Sequence, residues 1–221
     1  MTIFDKPLPP TPVLETERLL LRPLMPADAP VIQRRFPRWE IVRYLNPRVP
    51  WPYPDDGAIR FIEICQGEMA RGEKHHWSIR LKDGPDELIG NINLWPDDGE
   101  SRDMRGFWLD PEFQGRGLMT EAADRVTDYA FRELDWPHLW VSNDDRNHPS
   151  ARVKERQGAR LVGFEPFRSV SGDGRRMVWL IEREAYLKAR ATARPARPAR
   201  ATRRRTKPAS ETSSASGVSC P

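Results

Sequence analysis

Cysteine is scarce in this chain, with only Cys65 and Cys220 in 221 residues. One falls in a predicted helix and the other beside the C-terminus, so neither a disulfide framework nor a cysteine-based metal cluster follows. Long apolar runs are missing too. No stretch approaches the roughly 20 apolar residues that span a bilayer. Met1 to Pro12 is polar and proline-rich, with no apolar run of signal-peptide length. The expectation is a soluble cytoplasmic protein with no membrane contact. There is no constellation for serine hydrolysis or zinc binding, and no Gly-Lys-Ser/Thr phosphate loop.

Surplus positive charge is absent from the body of the chain. From Lys188 onward there are nine Lys or Arg and one acid, Glu211, whereas the remainder carries 27 basic and 31 acidic residues. The basic balance therefore belongs to the tail. From Ala189 onward the tail is Ala, Pro, Arg, Thr and Ser without an apolar period, too little to offset its ordering entropy. The expected organisation is a flexible arm over 1–13, one folded domain over 14–188 and a disordered basic tail over 189–221. Arg203-Arg204-Arg205 would give that tail weak contact with nucleic acid, the ribosome or an acidic surface. The alternative is a solvated tail without a specific role.

What is present is a core-forming body, with eight Trp and eight Phe. Arg18 to Arg22 is a short buried strand, and Pro26-Ala27-Asp28-Ala29 opens a helix. Pro37 to Asp56 is an irregular, aromatic-rich connection. Ala58, Phe61, Ile62, Cys65 and Met69 fall on one face of an amphipathic helix. His76 to Leu81 and Leu88 to Trp95 form a hairpin. Gly106 to Leu109 is a central strand. Leu118, Ala122, Val126, Tyr129 and Ala130 lie on the inner face of the helix that follows. Leu139 to Ser142 is another strand, and Pro149 to Gly158 a polar helix. Arg160–Phe167 and Met177–Ile181 are strands joined across Ser171-Gly172-Asp173-Gly174. This predicts an α+β fold, a mostly antiparallel sheet flanked by helices.

Between the central strand and its helix stands Gln114-Gly115-Arg116-Gly117-Leu118-Met119-Thr120. A helix start offers unpaired N–H groups and partial positive charge, which suits a phosphate. Gly115 and Gly117 let the backbone bend towards an anion, Arg116 adds charge, and Gln114 and Thr120 add hydrogen-bonding side chains. The third glycine of a dinucleotide fingerprint is missing. A short glycine motif alone is also compatible with an ordinary loop.

Its surroundings narrow the reading. Gly106 to Ala122 (Gly-Phe-Trp-Leu-Asp-Pro-Glu-Phe-Gln-Gly-Arg-Gly-Leu-Met-Thr-Glu-Ala) resembles the acyl-CoA site of GNAT acetyltransferases, most of all the branch that acetylates ribosomal-protein N-termini. Asn147-His148-Pro149-Ser150 followed by Lys154-Glu155-Arg156-Gln157-Gly158-Ala159 resembles the block at that family's fourth helix. Glu15 to Arg22 matches its usual first strand. The resemblance covers roughly Leu14 to Tyr186 and implies a sheet that splays beside Phe107, Trp108 and Leu109, leaving an edge for the pantetheine arm of acetyl-CoA. It implies that Gln114 to Thr120 hold the pyrophosphate, that Asn147 bonds the cofactor near the thioester, and that Ser150 contacts the leaving thiolate. No metal is implied. Met119, Ala159 and Asp103-Met104-Arg105 depart from the family pattern, the last lacking the acid often found just before the glycine.

The expected reaction is direct transfer of acetyl from acetyl-CoA to a primary amine, either a small molecule or a protein N-terminus. The other reading is a non-catalytic acyl-CoA-binding module. Candidates for the base are Asp103, Glu112, Asp144 and His76, with His76 expected as a surface or half-buried histidine and Cys65 expected as a core thiol. The resemblance places the acceptor beside the aromatic-rich connection, so Trp39, Tyr44, Trp51 and Tyr53, together with His76, are the candidates to line its pocket; the equal alternative is that these four rings cover the edge of the core. The pattern is compatible with a monomer or a dimer.

Overall fold

The structure, a computed structural model, describes residues 2–192. The Ala-Pro-Arg tail from residue 193 lies outside the described residues. So does any role for Arg203-Arg204-Arg205.

Five antiparallel strands form one sheet in chain order: β1 (Leu14–Glu15), β2 (Leu19–Pro23), β3 (His75–Leu81), β4 (Leu88–Leu94) and β5 (Arg105–Leu109). Three more form a second sheet, in the order β6 (His138–Asp144), β8 (Gly172–Glu182) and β7 (Arg160–Ser169). Helices cover both faces of the larger sheet. This explains why β3 and β4 are buried along nearly their whole length instead of alternating with solvent. On one face α4 (Leu118–Arg132) sets Val126 and Tyr129 in one cluster with Leu21, Trp77 and Ile92, the Tyr129 and Trp77 rings meeting edge to face at 5.9 Å. On the other, α1 (Ala29–Arg35), the single turn α2 (Trp39–Val42) and α3 (Gly57–Ala70) close a second cluster around Ile32, Phe36, Ile62, Leu88 and Trp108. The domain is completed by α5 (His148–Arg156) and α6 (Arg183–Thr192).

Three expectations shift. The segment before β1 is not loose: Leu8 is buried, and its N–H donates to the Gly72 carbonyl at 2.7 Å. Trp77 Nε1 donates to the Pro12 carbonyl at 2.6 Å. Polar, proline-rich composition hid one buried leucine and two backbone partners. At the other end α6 continues to Thr192, beyond the expected limit at Ala189, because Arg190 pairs with Asp124 on α4 at 2.5 Å. The β7–β8 turn is shorter than expected, since Gly172, Asp173 and Gly174 all belong to β8 and pair with Ser169, Arg168 and Phe167.

Gly90 on β4 sits where a side chain has no room. A Cβ there would lie 2.5 Å from the Trp108 carbonyl oxygen on β5. Gly90→Ala should therefore force β4 and β5 apart and cost about 1–3 kcal/mol. Denaturant unfolding measures this, and an unchanged midpoint would show that the strands yield without cost.

Candidate active site

The two sheets meet at one end only. Met104 N–H donates to the Trp140 carbonyl at 2.8 Å, and Ser142 N–H donates to Asp103 Oδ1 at 3.1 Å. Past that junction β5 pairs with β4 alone, and no ladder joins it to β6 among the described residues. A cavity of about 280 Å³ opens there. Its walls include Phe107, Trp108 and Leu109 from β5, the 113–120 turn, and Asn147, Ser150 and Val153 at and beyond the start of α5. Residues 43–45 close another side. They are held by the β7–β8 turn, where Val170 and Ser171 N–H groups donate to the Leu45 and Arg43 carbonyls at 2.9 and 3.1 Å.

The turn itself is built for close approach. Gly115 and Gly117 adopt φ of 76° and 77°, a region that side chains disfavour, and no other group stands within 4 Å of a Cβ built on Gly115. Gln114 Nε2 donates back to the Leu109 carbonyl at 2.8 Å and closes the loop. Gly117 is the N-cap of α4 and lends no side-chain cap, so the first N–H groups of the helix remain available. Glu121 in the first turn of α4 anchors the loop from beneath. It accepts from Thr16 Oγ1 at 2.5 Å, from Arg18 N–H at 2.9 Å and from Arg18 Nε at 2.6 Å, while Arg18 Nη1 donates to the Arg116 carbonyl at 3.1 Å. Arg43, Arg152 and Arg156 line the same cavity against one acid, Glu40, so the field there favours an anion.

Helix α5 starts at this cavity. Asn147 caps it, its side-chain oxygen accepting from Ser150 N–H at 3.2 Å. Lys154, one turn further on, is 1% exposed, and its Nζ donates to Ser150 Oγ at 2.9 Å.

A second cavity, about 390 Å³, adjoins the first through Leu45, Phe107 and Trp108. Its apolar walls include Ile32, Phe36, Val49, Tyr53, Phe61 and Ile64, with Asn91 and Asn93 at its base on β4 and Arg48 and Arg60 also lining it. No carboxylate is among its described lining residues. The Asn93 side-chain oxygen is buried without a partner.

Residues 18–160 match the sequence model of the acetyltransferase (GNAT) domain family. The chain belongs to the GNAT acetyltransferases. The uncharacterized N-acetyltransferase YnaD of Bacillus subtilis is 28% identical over 151 residues, covering 68% of this chain and 84% of YnaD. Ribosomal-protein-S5-alanine acetyltransferase from Vibrio fischeri has a similar fold, with a TM-score of 0.67 at 17% identity, over 79% of this chain and 98% of that one. RimL, the ribosomal L7/L12 alpha-N-protein acetyltransferase solved with coenzyme A, gives a TM-score of 0.67 at 16% identity, over 79% and 99% of the two chains.

In this acetyltransferase the structure gathers most of the residues singled out from sequence into the first cavity: Phe107, Trp108, Leu109, Gln114, Gly115, Gly117, Leu118, Met119, Thr120, Asn147 and Ser150. Arg116 is not among them. Its guanidinium lies over the Phe113 ring, 5.5 Å from the centroid. Tyr44 lines the first cavity and Tyr53 the second, whereas Trp39 and Trp51 pack on each other, partly exposed, outside both. None of the four candidate bases lines either cavity. Asp103 is held at the β5–β6 junction, where burial pushes its carboxyl up against the pull of Lys154 and Arg176. Asp144 pairs with Arg146 at 2.6 Å, and Glu112 stands exposed near Arg35 and Arg38. His76 is fully buried, beyond the surface or half-buried position expected, with its Nε2 2.6 Å from Glu68 Oε2 on α3.

Sequence reasoning missed Arg43, Arg152, Arg156, Lys154 and Asn93. The i, i+4 spacing of Arg152 and Arg156 put both on one helix face, but nothing in the spacing said that this face meets the cavity. Cys65 is fully buried, as expected of a core thiol, and burial raises its titration well above the ordinary thiol range. Its Sγ, a Glu68 oxygen and a His76 ring nitrogen lie within 4.8 Å of one another, while Lys74 Nζ lies 2.7 Å from Glu68 Oε1.

Burial alone would raise the Glu68 carboxyl, but hydrogen bonds from His76 and Lys74 outweigh it and hold the group at about 2 instead of 4.5. A carboxyl depressed in the folded state stabilises it above pH 4.5, and that stability is lost as pH falls towards about 2. Glu68→Gln should flatten the stability profile across that window. Urea unfolding at a series of pH values reads the effect, and an unchanged slope would count against the assignment.

Proposed function

We propose that this enzyme transfers an acetyl group directly from acetyl-CoA to a primary amine carried by an apolar acceptor, a small molecule or a protein N-terminus, within one ternary complex. The observation that carries the reading is the junction of two cavities at Phe107 and Trp108, one rimmed by a glycine turn, the other walled mainly by apolar side chains with Arg48 and Arg60 among its lining and no carboxylate among its described residues. The first cavity fits a pyrophosphate at the α4 N-terminus. The unpaired side of β5 fits a pantetheine arm lying alongside it like an added strand. RimL and the S5-alanine enzyme are acetyltransferases of ribosomal proteins, which supports including a protein amine among the acceptors.

Without a carboxylate to hold an ammonium, the second cavity favours the amine as its free base, since apolar walls disfavour the charged form. The Asn93 side-chain oxygen offers such an amine an acceptor for its N–H. A backbone N–H on the open edge near Leu109 would polarise the thioester carbonyl. Placement of the two partners supplies most of the gain, because well-oriented reactions reach effective molarities of about 10⁵ M or more.

Thiol release from acetyl-CoA across apolar amines and N-terminal peptides tests the reading, with turnover expected for acceptors bearing an apolar group. Binding of CoA with no amine consumed would leave a non-catalytic acyl-CoA-binding module, and failure to bind CoA would overturn both. In the same assay Gly117→Ala should weaken acetyl-CoA binding about tenfold. A side chain at that left-handed position costs roughly 1–2 kcal/mol or displaces the turn.

A further inference from the structure

Lys154 is the unexpected residue of α5. Its neighbours Ala151 and Val153 are buried apolar side chains, and an aliphatic residue would serve the packing equally well. Instead a lysine ammonium is enclosed, at a cost of several kcal/mol unless it finds compensation. Its polar contacts among the described residues are both to Ser150: the hydroxyl oxygen at 2.9 Å and the carbonyl oxygen at 3.4 Å. The Phe107 ring lies beneath it, 5.1 Å from Nζ to the centroid. The charged groups facing it are Asp103 at the β5–β6 junction, with Arg176 beyond, and Arg105 on β5.

This geometry fixes the direction of a proton. An ammonium has only donors, so Ser150 Oγ must be the acceptor in the Lys154 contact. The hydroxyl proton of Ser150 is then turned away from Lys154. Ser150 lines the first cavity, so that proton is free to be donated to whatever the cavity holds.

We propose that Lys154 is a positioning residue that feeds a proton through Ser150 to the sulfur departing in acetyl transfer, an inference that rests on reading the first cavity as the acetyl-CoA site. The amine nitrogen bonds to the carbonyl carbon while the carbon–sulfur bond breaks and sulfur takes the electron pair. The Ser150 hydroxyl gives its proton to that sulfur, and Lys154 gives one of its protons to Ser150 Oγ. The proton shed by the acylated nitrogen passes to solvent, and solvent in the emptied cavity restores the Lys154 proton by way of the Ser150 hydroxyl, so the net change is one proton from nitrogen to sulfur. Burial, with Arg105 opposing and Asp103 only partly restoring, holds the Lys154 ammonium well below the usual lysine range. That makes its proton available near neutral pH.

The decisive measurement needs no acceptor. Free CoA is bound to the protein and its thiol is titrated by ultraviolet thiolate absorbance, with desulfo-CoA as the blank. A thiolate facing a lysine-backed hydroxyl should titrate about one pH unit or more below the roughly 8.5 of an ordinary thiol. Lys154→Met and Ser150→Ala should each return it towards that value. The double variant should match Ser150→Ala alone, because the lysine acts only through the serine. Lys154→Met should also lower kcat about tenfold or more while leaving KM for acetyl-CoA within a factor of about three. Its unfolding midpoint should equal or exceed that of the native chain, since exchanging a buried charge for an apolar side chain is often neutral or stabilising. An unshifted thiol in Lys154→Met, an unshifted thiol in Ser150→Ala, or a further shift when Lys154 is removed from Ser150→Ala would each overturn the relay. A native chain that binds no CoA would overturn the function on which the relay rests.

Discussion

The parting of β5 from β6 is the constraint on which the rest of the architecture depends. Main-chain N–H and C=O groups need partners, and β5 meets that need on one side only. The far edge stays open because the two sheets are pinned at Met104–Trp140 and Asp103–Ser142 and diverge beyond, where the β7–β8 turn props residues 43–45 across the gap. Every residue gathered at the first cavity faces this opening, whether it arrives from β5, from the turn before α4 or from the start of α5. A continuous sheet through β5 and β6 would have filled it with backbone.

A second dependence runs through Glu121. Its carboxylate joins the first strand region, by way of Thr16 and Arg18, to the first turn of α4, and Arg18 continues to the Arg116 carbonyl. Two sequence blocks about a hundred residues apart, Glu15 to Arg22 and Thr120 to Ala122, are thus halves of one contact. The glycine turn owes its shape to positive φ at Gly115 and Gly117, and its position to this carboxylate.

Much of this was legible beforehand, for identifiable reasons. The strand read over His76 to Leu81 falls within one residue of its observed limits, and the five residues read as the inner face of the helix after the turn all lie buried on α4. The glycine turn was legible because its chemistry is local: backbone freedom followed by a helix start. What escaped depends on contacts distant in sequence. Leu8 looked like part of a polar arm until its N–H met Gly72. Lys154 falls in a helix that reads as polar, yet it is buried, and Arg105 is buried as well, donating to Thr127 and Gln157 at 2.7 Å each. The aromatic-rich stretch from Pro37 to Asp56 was assigned to the acceptor as a block. The structure divides it, with Tyr53 facing the second cavity and Trp39 and Trp51 facing one another. Composition registers aromatic rings but not which way the chain turns them.

The walls of the two cavities are drawn from different stretches of chain. Residues 46–64 contribute only to the second cavity, residues 109–156 only to the first, and Leu45, Phe107 and Trp108 form the partition between them. On the proposed function, acceptor preference and donor recognition are therefore separable in inheritance. Substitutions, insertions or an exchanged segment between Asn46 and Ile64 would then alter what is acylated while sparing the residues that line only the first cavity. A single scaffold of this kind is free to diversify by rewriting one short stretch of sequence.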